Sequence, residues 1–210
     1  FDEDMHIENV GGTVAMIERA KDLKEEKSQS FSVSADMYHR FGAFQTNLLI
    51  EGFYTRLTDV FVLGKPYDRG DGILVKTRSN GPGAKVMGLT LEGKVAYLSI
   101  LQIQAGLTLQ RSRYDEPHKW HDDAPAEKKI FRTPDTYGYF TATCTPVKPL
   151  SIALSGTYTG RMLVQRMDIT AENAELGEMP ERKAEAIRTP RFFDLGVKLA
   201  YDFKLYKTVD

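Results

Sequence analysis

Residues 150–162 read LSIALSGTYTGRM and alternate apolar with polar or small side chains at nearly every step. In an extended chain Leu150, Ile152 and Leu154 fall on one face, and the intervening small and hydroxyl side chains fall on the other. A period of two is typical of a β-strand with two unlike faces. This stretch therefore predicts a long strand that meets two different environments.

The same alternation recurs in six other stretches, so the sequence predicts seven long strands. The other six are 31–40, 44–54, 87–97, 101–109, 137–145 and 193–203. Two kinds of connection join them. Tight turns are predicted at 41–43, 98–100 and 146–149, and long loops at 57–83, 114–136 and 163–190. Short and long connections therefore alternate along the chain.

Three segments outside the seven strands carry weaker signals. Residues 1–27 read as a loop region, in which residues 14–24 could form a short helix. Residues 73–76 predict a short strand that extends beyond the main sheet. Residues 168–188 set glutamates against arginine and lysine. They could form a short charged helix, but a solvated loop explains the pattern more simply.

Composition excludes several classes of protein. The 210 residues favour one β domain, and the balance of 28 basic against 29 acidic residues gives no positive field for nucleic acid. No run approaches the roughly 18 apolar residues that a membrane helix needs. The mean hydropathy of -0.37 does not exclude a membrane barrel, because only alternate barrel residues face lipid. The single Cys144 lies mid-strand and reads as a small apolar filler.

Three features favour a membrane barrel over a soluble sandwich. The strands are about ten or more residues long, which suits a tilted membrane strand. Aromatic residues collect near the strand ends, where membrane interfaces favour them: Phe31, Tyr38, Phe44, Tyr54, Tyr97, Tyr158, Phe193, Tyr201 and Phe203. Long and short connections are sorted to opposite ends. We therefore expect an all-β, antiparallel, up-and-down transmembrane β-barrel, with short turns in the periplasm and long loops outside.

Five segments, in this order, resemble the TonB-dependent outer-membrane receptors, particularly those of Bacteroides-type bacteria. They are Leu23–Ser28, Phe53–Phe61, Asn80–Glu92, Arg132–Pro134 and Phe192–Leu195. Two positions depart from the family pattern, since Glu25 replaces the usual Pro and Thr90 stands where Glu is usual. The resemblance covers nearly the whole chain and rests on order and spacing.

The resemblance implies a fold and a function for the larger protein. Such receptors close 22 strands around an N-terminal plug, so residues 1–210 are expected to be a C-terminal part of the barrel, with the plug and the last strands outside this sequence. The expected function is active import of a siderophore, cobalamin, glycan or peptide. The implied partners are TonB acting through the plug, outer-membrane lipid, the nutrient ligand and a surface lipoprotein, in the outer membrane of a Gram-negative, Bacteroides-type cell.

Candidate ligand-binding residues lie in the predicted exterior loops. They are Tyr67, Arg69, Arg113, His118, Trp120 and His121. The cluster at 118–123 could also be read as a metal site, but such clusters are more often solvated loops. Arg69-Gly70-Asp71 spells an adhesion tripeptide, which a glycine-flanked turn explains more simply.

The polar residues between the apolar ones are expected to face the barrel lumen. They are Gln45, Asn47, Glu51, Thr90, Glu92, Lys94, Gln102, Gln104, Thr108 and Gln110. They could bond to the plug or line the path that opens when the plug moves. No nucleophile with a base and no phosphate-binding loop is found, so neither catalysis nor a cofactor is expected.

Two other functions remain open from the sequence. One is a small self-contained outer-membrane barrel with an adhesive or structural role, although an odd strand count argues against it. The other is a soluble β-barrel that binds an apolar ligand. Folding in buffer without detergent would favour the soluble barrel.

Overall fold

The computed structural model describes residues 7–10, 13–64, 67–70, 73–120, 124–170 and 181–203. All regular elements in these ranges are strands, and no helix there is long and apolar enough to cross a membrane. The strands are β1 Ile7–Val10, β2 Thr13–Arg19, β3 Lys27–Phe41, β4 Phe44–Thr58, β5 Phe61–Leu63, β6 Tyr67–Asp68, β7 Leu74–Asn80, β8 Ala84–Tyr97, β9 Leu101–His118, β10 Glu127–Lys129, β11 Thr136–Val147, β12 Leu150–Thr159, β13 Leu163–Thr170, β14 Glu181–Arg188 and β15 Phe192–Tyr201.

Seven long strands form the main sheet, as the sequence predicts. Their order across the sheet is β15-β12-β11-β9-β8-β4-β3, with β10 attached to β9. All neighbours in this sheet are antiparallel, and each long strand pairs with the next long strand along the chain. The predicted all-β, antiparallel, up-and-down architecture is therefore confirmed.

The three predicted tight turns join neighbouring strands at one end of the sheet. Phe41 pairs with Phe44 across a two-residue turn, in which Gly42 has a φ of 58° that glycine adopts without strain. Tyr97 pairs with Leu101 in the next hairpin. Val147 pairs with Leu150 in the third. The long connections consequently all leave from the opposite end.

The strand register separates apolar from polar side chains. Leu107 pairs with Leu91, which pairs with Ile50, so one row of the sheet is apolar across three strands. The adjacent row joins Thr108, Thr90 and Glu51. Since paired residues share a face and neighbours alternate, the sheet has one apolar and one polar face. All ten residues predicted to face the lumen fall on the polar face.

Aromatic rows border the apolar face at two heights. Near the turns Phe41 stacks on Phe44, with ring centroids 5.4 Å apart, and Phe44 lies 4.8 Å from Tyr97. The second row contains Phe31 and Tyr54. From Phe44 to Tyr54 the chain rises roughly 34 Å, or about 25 Å along the membrane normal at a tilt of about 40°. That height matches the apolar band of outer-membrane barrels.

The main sheet encloses no hydrophobic core of its own. The chain exposes 15700 Å², whereas a compact monomer of this mass exposes about 9,800 Å². Val197 on the apolar face of β15 is 77% exposed. Side chains of this face therefore require an apolar environment outside the chain, and membrane lipid supplies one.

A second, smaller sheet forms beyond the long-loop end. Its order is β1-β2-β7-β5, with β6 also on β7, and β2 pairs with β7 in parallel. Residues 13–19 form strand β2, so the helix considered at 14–24 is wrong. The partner of β2 comes from a distant loop, which local periodicity does not reveal. The short strand predicted at 73–76 is confirmed as the beginning of β7.

The loop after β12 contains an antiparallel strand pair. Leu163 pairs with Arg188, and the register continues to Thr170 opposite Glu181. The charged helix considered at 168–188 is therefore wrong for the described part of that range, and residues 171–180 lie outside the described residues. Ladder pairing across the loop overrides the local charge pattern, and Leu163 and Ala184 are buried there.

Candidate functional site

The predicted ligand-binding residues lie in two groups at the long-loop end of the sheet, which is called the outer end below. The first group belongs to the small sheet. Tyr67 begins β6, and its hydroxyl lies 3.4 Å from the Glu18 carboxylate on β2. Arg69 follows, and its guanidinium lies 3.8 Å from the Met16 sulfur. These two side chains thus lie against β2, which the sequence pattern did not identify as a strand.

The second group lies on the outer extension of β9. Arg113 and His118 belong to that strand, which runs further than the predicted 101–109. Trp120 follows, and its ring meets Phe131 edge-on with centroids 6.4 Å apart. His121 lies outside the described residues. The structure therefore places Arg113, His118 and Trp120 along the outer extension of β9 and the residues that follow it.

His118 is partly buried at this rim. Its ring lies 5.4 Å from that of Tyr114, and Glu127 of β10 is its register partner. Burial lowers the pKa of His118, because the charged ring loses hydration. Burial also raises the pKa of Tyr114. Both groups are therefore held in their neutral forms more strongly than in water.

Basic residues form a row across three strands just below this rim. Arg113 pairs with Lys85, and Lys85 pairs with Arg56. Lys85 makes an ion pair of 2.7 Å with Asp115. The hydrogen bond from Lys85, with the nearby charges of Lys85, Arg56 and Lys128, lowers the pKa of Asp115. This row continues the apolar face rather than the polar one.

Asn80 at the end of β7 ties the outer sheet to the main sheet. Its side-chain amide donates to the carbonyl oxygens of Lys24 and Asp59, at 2.9 and 2.8 Å. Its side-chain oxygen accepts from the Lys24 amide at 2.7 Å. One side chain thus joins three chain segments. The sequence shows Asn80 only as the start of a turn-rich stretch, so its structural role was missed.

The polar face carries a connected network between strands. Gln104 donates to Glu92 at 2.6 Å and to the Tyr139 hydroxyl at 2.7 Å. Glu92 also lies 3.5 Å from the Lys94 ammonium group. Thr90 and Thr108 share a hydrogen bond of 3.1 Å. These contacts satisfy polar groups within the sheet and fix their positions.

A recess of about 340 Å³ lies nearer the turn end of the same face. Tyr38, Asn47, Lys94, Gln102 and Thr141 are among the side chains that line it. Asn47 and Tyr38 both donate to the Asp36 carboxylate. The recess therefore offers fixed polar groups to whatever occupies the space on this side of the sheet.

Two further loop patterns were considered in the sequence: a metal site at 118–123 and the tripeptide Arg69-Gly70-Asp71. The described residues contain no group of three ligands that could hold a metal, and residues 121–123 of the histidine loop are outside them. The Gly70 amide donates to the Asp68 carboxylate at 2.7 Å, and Gly70 has a φ of 95°. A glycine turn thus accounts for Arg69 and Gly70, while Asp71 lies outside the described residues.

No family model and no curated protein matches the chain. Solved structures do. The siderophore receptor PirA from Acinetobacter baumannii matches 91% of this chain and 28% of its own, with a TM-score of 0.58 at 13% identity. The chain has the fold of part of a TonB-dependent receptor barrel.

Two further transporters share this receptor-barrel fold. The FrpB iron transporter from Neisseria meningitidis, F3-3 variant, matches 90% of this chain and 26% of its own, with a TM-score of 0.56 at 14% identity. The copper transporter OprC matches 88% of this chain and 24% of its own, with a TM-score of 0.55 at 13% identity. The chain therefore spans about a quarter of the length of these structures.

The receptor-barrel fold gives each face of the sheet an environment. In transmembrane barrels apolar residues face lipid and polar residues face the lumen. The Glu92–Gln104–Tyr139 network therefore belongs to the lumen side, and the row of Leu107 belongs to the lipid side. The long loops occupy the end of the barrel where such proteins carry their large exterior loops.

Proposed function

We propose that this chain is part of an outer-membrane receptor that imports a scarce nutrient with energy supplied through TonB. The observation that carries the proposal is the sorting of connections on a two-faced transmembrane sheet. Tight turns occupy one end, and structured loops with their own small sheet occupy the other. Structured loops at one end of a barrel are suited to the capture of a ligand from outside the cell.

The proposed cargo contacts are the outer-loop side chains Tyr67, Arg69, His118, Trp120 and His121. Tyrosine and tryptophan offer large apolar surfaces together with hydrogen-bonding groups, which favours them in recognition. Arg113 was also a candidate from the sequence, but its register partner Lys85 lies on the lipid-side face. We therefore assign Arg113 to the membrane-facing rim.

The cargo classes implied by the family resemblance are siderophores, cobalamin, glycans and peptides. The solved structures with this fold are described as a siderophore receptor and as iron and copper transporters. Among the four classes we favour a siderophore. The test is growth of a deletion strain on each cargo as the limiting nutrient, with binding of each cargo to the purified protein.

The expected result is loss of growth on one cargo, equal to the loss caused by removing TonB. Trp120→Ala and Tyr67→Ala should each weaken binding roughly tenfold, which is 1.4 kcal/mol. Tyr201→Ala on β15 is the matched control and should leave binding unchanged. Uptake that is independent of TonB would contradict the proposal.

We also propose that residues 1–210 form a C-terminal part of a 22-stranded barrel of the Bacteroides type. The 24 to 28% coverage of the matched structures is consistent with a part of a larger wall. An upstream plug with a TonB box, further strands downstream and a surface lipoprotein partner are expected. Sequencing the DNA on both sides of this segment tests for the plug and the further strands. Copurification from membranes tests for the lipoprotein.

A further inference from the structure

Two exposed aromatic side chains flank one threonine on the lumen side of the sheet. Tyr137 on β11 pairs with Thr159 on β12, and Thr159 pairs with Phe192 on β15. The three residues therefore form one row and share a face. Tyr137 also pairs with Thr108, which places this row on the polar face. The small Thr159 thus forms the floor of a slot whose two walls are aromatic.

The width of this slot suits one flat ring. Tyr137 and Phe192 are separated by two strand spacings, which is about 10 Å. Interacting aromatic rings have centroids about 4.5–7 Å apart, so a ring midway between the walls would lie about 5 Å from each. Tyr137 is 38% exposed and Phe192 is 62% exposed. In the described part of the chain neither side chain makes a ring contact or a hydrogen bond, so both are available to a ligand.

The row below the slot adds polar groups. It contains Tyr139, Thr157 and Asp194, and it lies roughly 5 Å closer to the turn end. The Tyr139 hydroxyl accepts from Gln104 at 2.7 Å, which fixes its position. The Asp194 side chain is exposed and makes no hydrogen bond or ion pair with the described residues. Because the edge of an aromatic ring is positive, a carboxylate at the base of the slot favours an aromatic ring over an aliphatic group.

The slot lies at the outer mouth of the wall. Thr159 is the last residue of β12, and Phe192 is the first residue of β15. Outward of this row, the Arg132 amide donates to the Leu163 carbonyl oxygen at 2.7 Å, so the loops that follow β9 and β12 meet there. Trp120, a proposed cargo contact, lies in the first of these loops. A ligand that passes from the loops into the lumen would therefore meet the slot next.

We propose that this slot binds a flat aromatic ring of the imported iron chelate, with one face against Tyr137 and the other against Phe192. This inference rests on the proposed import function and names the kind of siderophore, one whose metal-binding groups are aromatic. An aliphatic chelate lacks the two stacking contacts. A sugar is the competing ligand class, because a sugar ring can also lie against aromatic side chains.

The test compares two ferric complexes of equal charge, those of benzohydroxamate and acetohydroxamate, which differ in carrying a phenyl ring or a methyl group. Their binding to the protein encoded by the native gene, purified in a neutral detergent, is measured by equilibrium dialysis with radioactive iron. The benzohydroxamate complex should bind at least about tenfold more tightly. Glucose at millimolar concentration is the competitor and should not displace it.

Three variants remove or fill the slot. Tyr137→Ala and Phe192→Ala should each reduce the preference for the phenyl ring roughly tenfold. Thr159→Leu keeps both walls but fills the space between them, and it should have a similar effect. The matched controls are Tyr137→Phe, which keeps the ring, and Phe193→Ala, which removes the neighbouring ring on the lipid side. Both controls should keep the preference, and heat-dependent electrophoretic mobility shows whether each variant is folded.

Equal binding of the two complexes by the unchanged protein would overturn the proposal, as would a preference that persists in both alanine variants. Displacement by glucose would assign the slot to a sugar and would overturn it as well. Import is tested separately by growth of the deletion strain. Growth that depends on TonB without a ring preference contradicts the slot alone, whereas a ring preference without such growth contradicts the import function alone.

Discussion

Asn80 connects three segments through one side chain, so its removal has a defined local effect. Asn80→Ala removes two donated bonds and one accepted bond between β7 and the backbone near Lys24 and Asp59. We expect the outer sheet to open more easily by about 2 kcal/mol, which is roughly a 30-fold loss of amide protection. Hydrogen exchange of the β7 amides measures this loss.

Asn47→Ala is the matched control for that experiment. Asn47 contacts Asp36 within the β3–β4 hairpin, far along the sheet from the outer loops. It should leave the protection of β7 unchanged. Equal protection of β7 in Asn80→Ala and in the unchanged protein would show that Asn80 does not join the segments.

His118 makes the outer rim sensitive to pH. Burial lowers its pKa, so the folded rim binds a proton less readily than the unfolded chain. The stability of the rim should therefore fall as pH decreases below about 6.5, and it should level off below the folded pKa. Hydrogen exchange of β10 between pH 7.5 and 5, corrected for intrinsic rates, measures the change.

His118→Gln should make the protection of β10 independent of pH over this range. His39→Gln, near the turn end, should retain the pH dependence. If His118→Gln kept the full dependence, another group would be responsible.

At the scale of single strands, the glycines lie in two kinds of surroundings, one crowded by neighbouring atoms and one open. A Cβ at Gly138 on β11 would lie 2.5 Å from the Gly106 carbonyl oxygen, whereas a Cβ at Gly93 on β8 would meet nothing within 4 Å. Gly138→Ala should therefore destabilise the barrel by about 1–3 kcal/mol relative to Gly93→Ala. The unfolded-state effects of the two substitutions largely cancel in this comparison.

The measurement is the temperature at which half of the membrane-embedded protein is unfolded. It is monitored by the change in electrophoretic mobility on heating. The two alanine variants are compared directly. Equal midpoints would mean that the backbone around Gly138 adjusts without cost.

The main strands could be predicted from sequence because each contains its own signal. Alternation in 150–162 and 31–40 locates β12 and β3, and the glycine turn after Phe41 fixes β4 as the neighbour of β3. Strand β2 could not be predicted, because residues 13–19 lack a clear period and depend on pairing with β7. The strand ends were also missed where β9 continues into a polar segment.

The candidate site follows the same division. The lumen-side face of Glu92 and Gln104 could be predicted, since a period of two puts both on the polar side of their strands. The hydrogen bond between them depends on the strand register, which the sequence does not show. The contacts of Tyr67 with Glu18, and of Asn80 with Lys24, join residues far apart in sequence. Such contacts follow from how the loops fold over the sheet, and no local pattern encodes them.

At the scale of the whole molecule, the two faces of the sheet predict opposite responses to charge. Leu107→Arg places a cation in the apolar band and should cost about 2–4 kcal/mol. Thr141→Arg places the same group on the polar face, in the row of Gln104, and should cost much less. For both variants, the fraction of protein that folds into membranes is measured by its heat-dependent change in electrophoretic mobility. Equal losses would contradict the assignment of lipid and lumen sides.

The parallel ladder between β2 and β7 joins two separate segments of the chain into one structural unit. β2 precedes β3 and β7 lies between β4 and β8, yet five residue pairs and the Asn80 bonds join them. A graft that moved either loop alone to another barrel would leave half of a sheet without its partner. A substitution that alters this ladder on one strand would therefore need a matching change in a second, separate stretch of the gene.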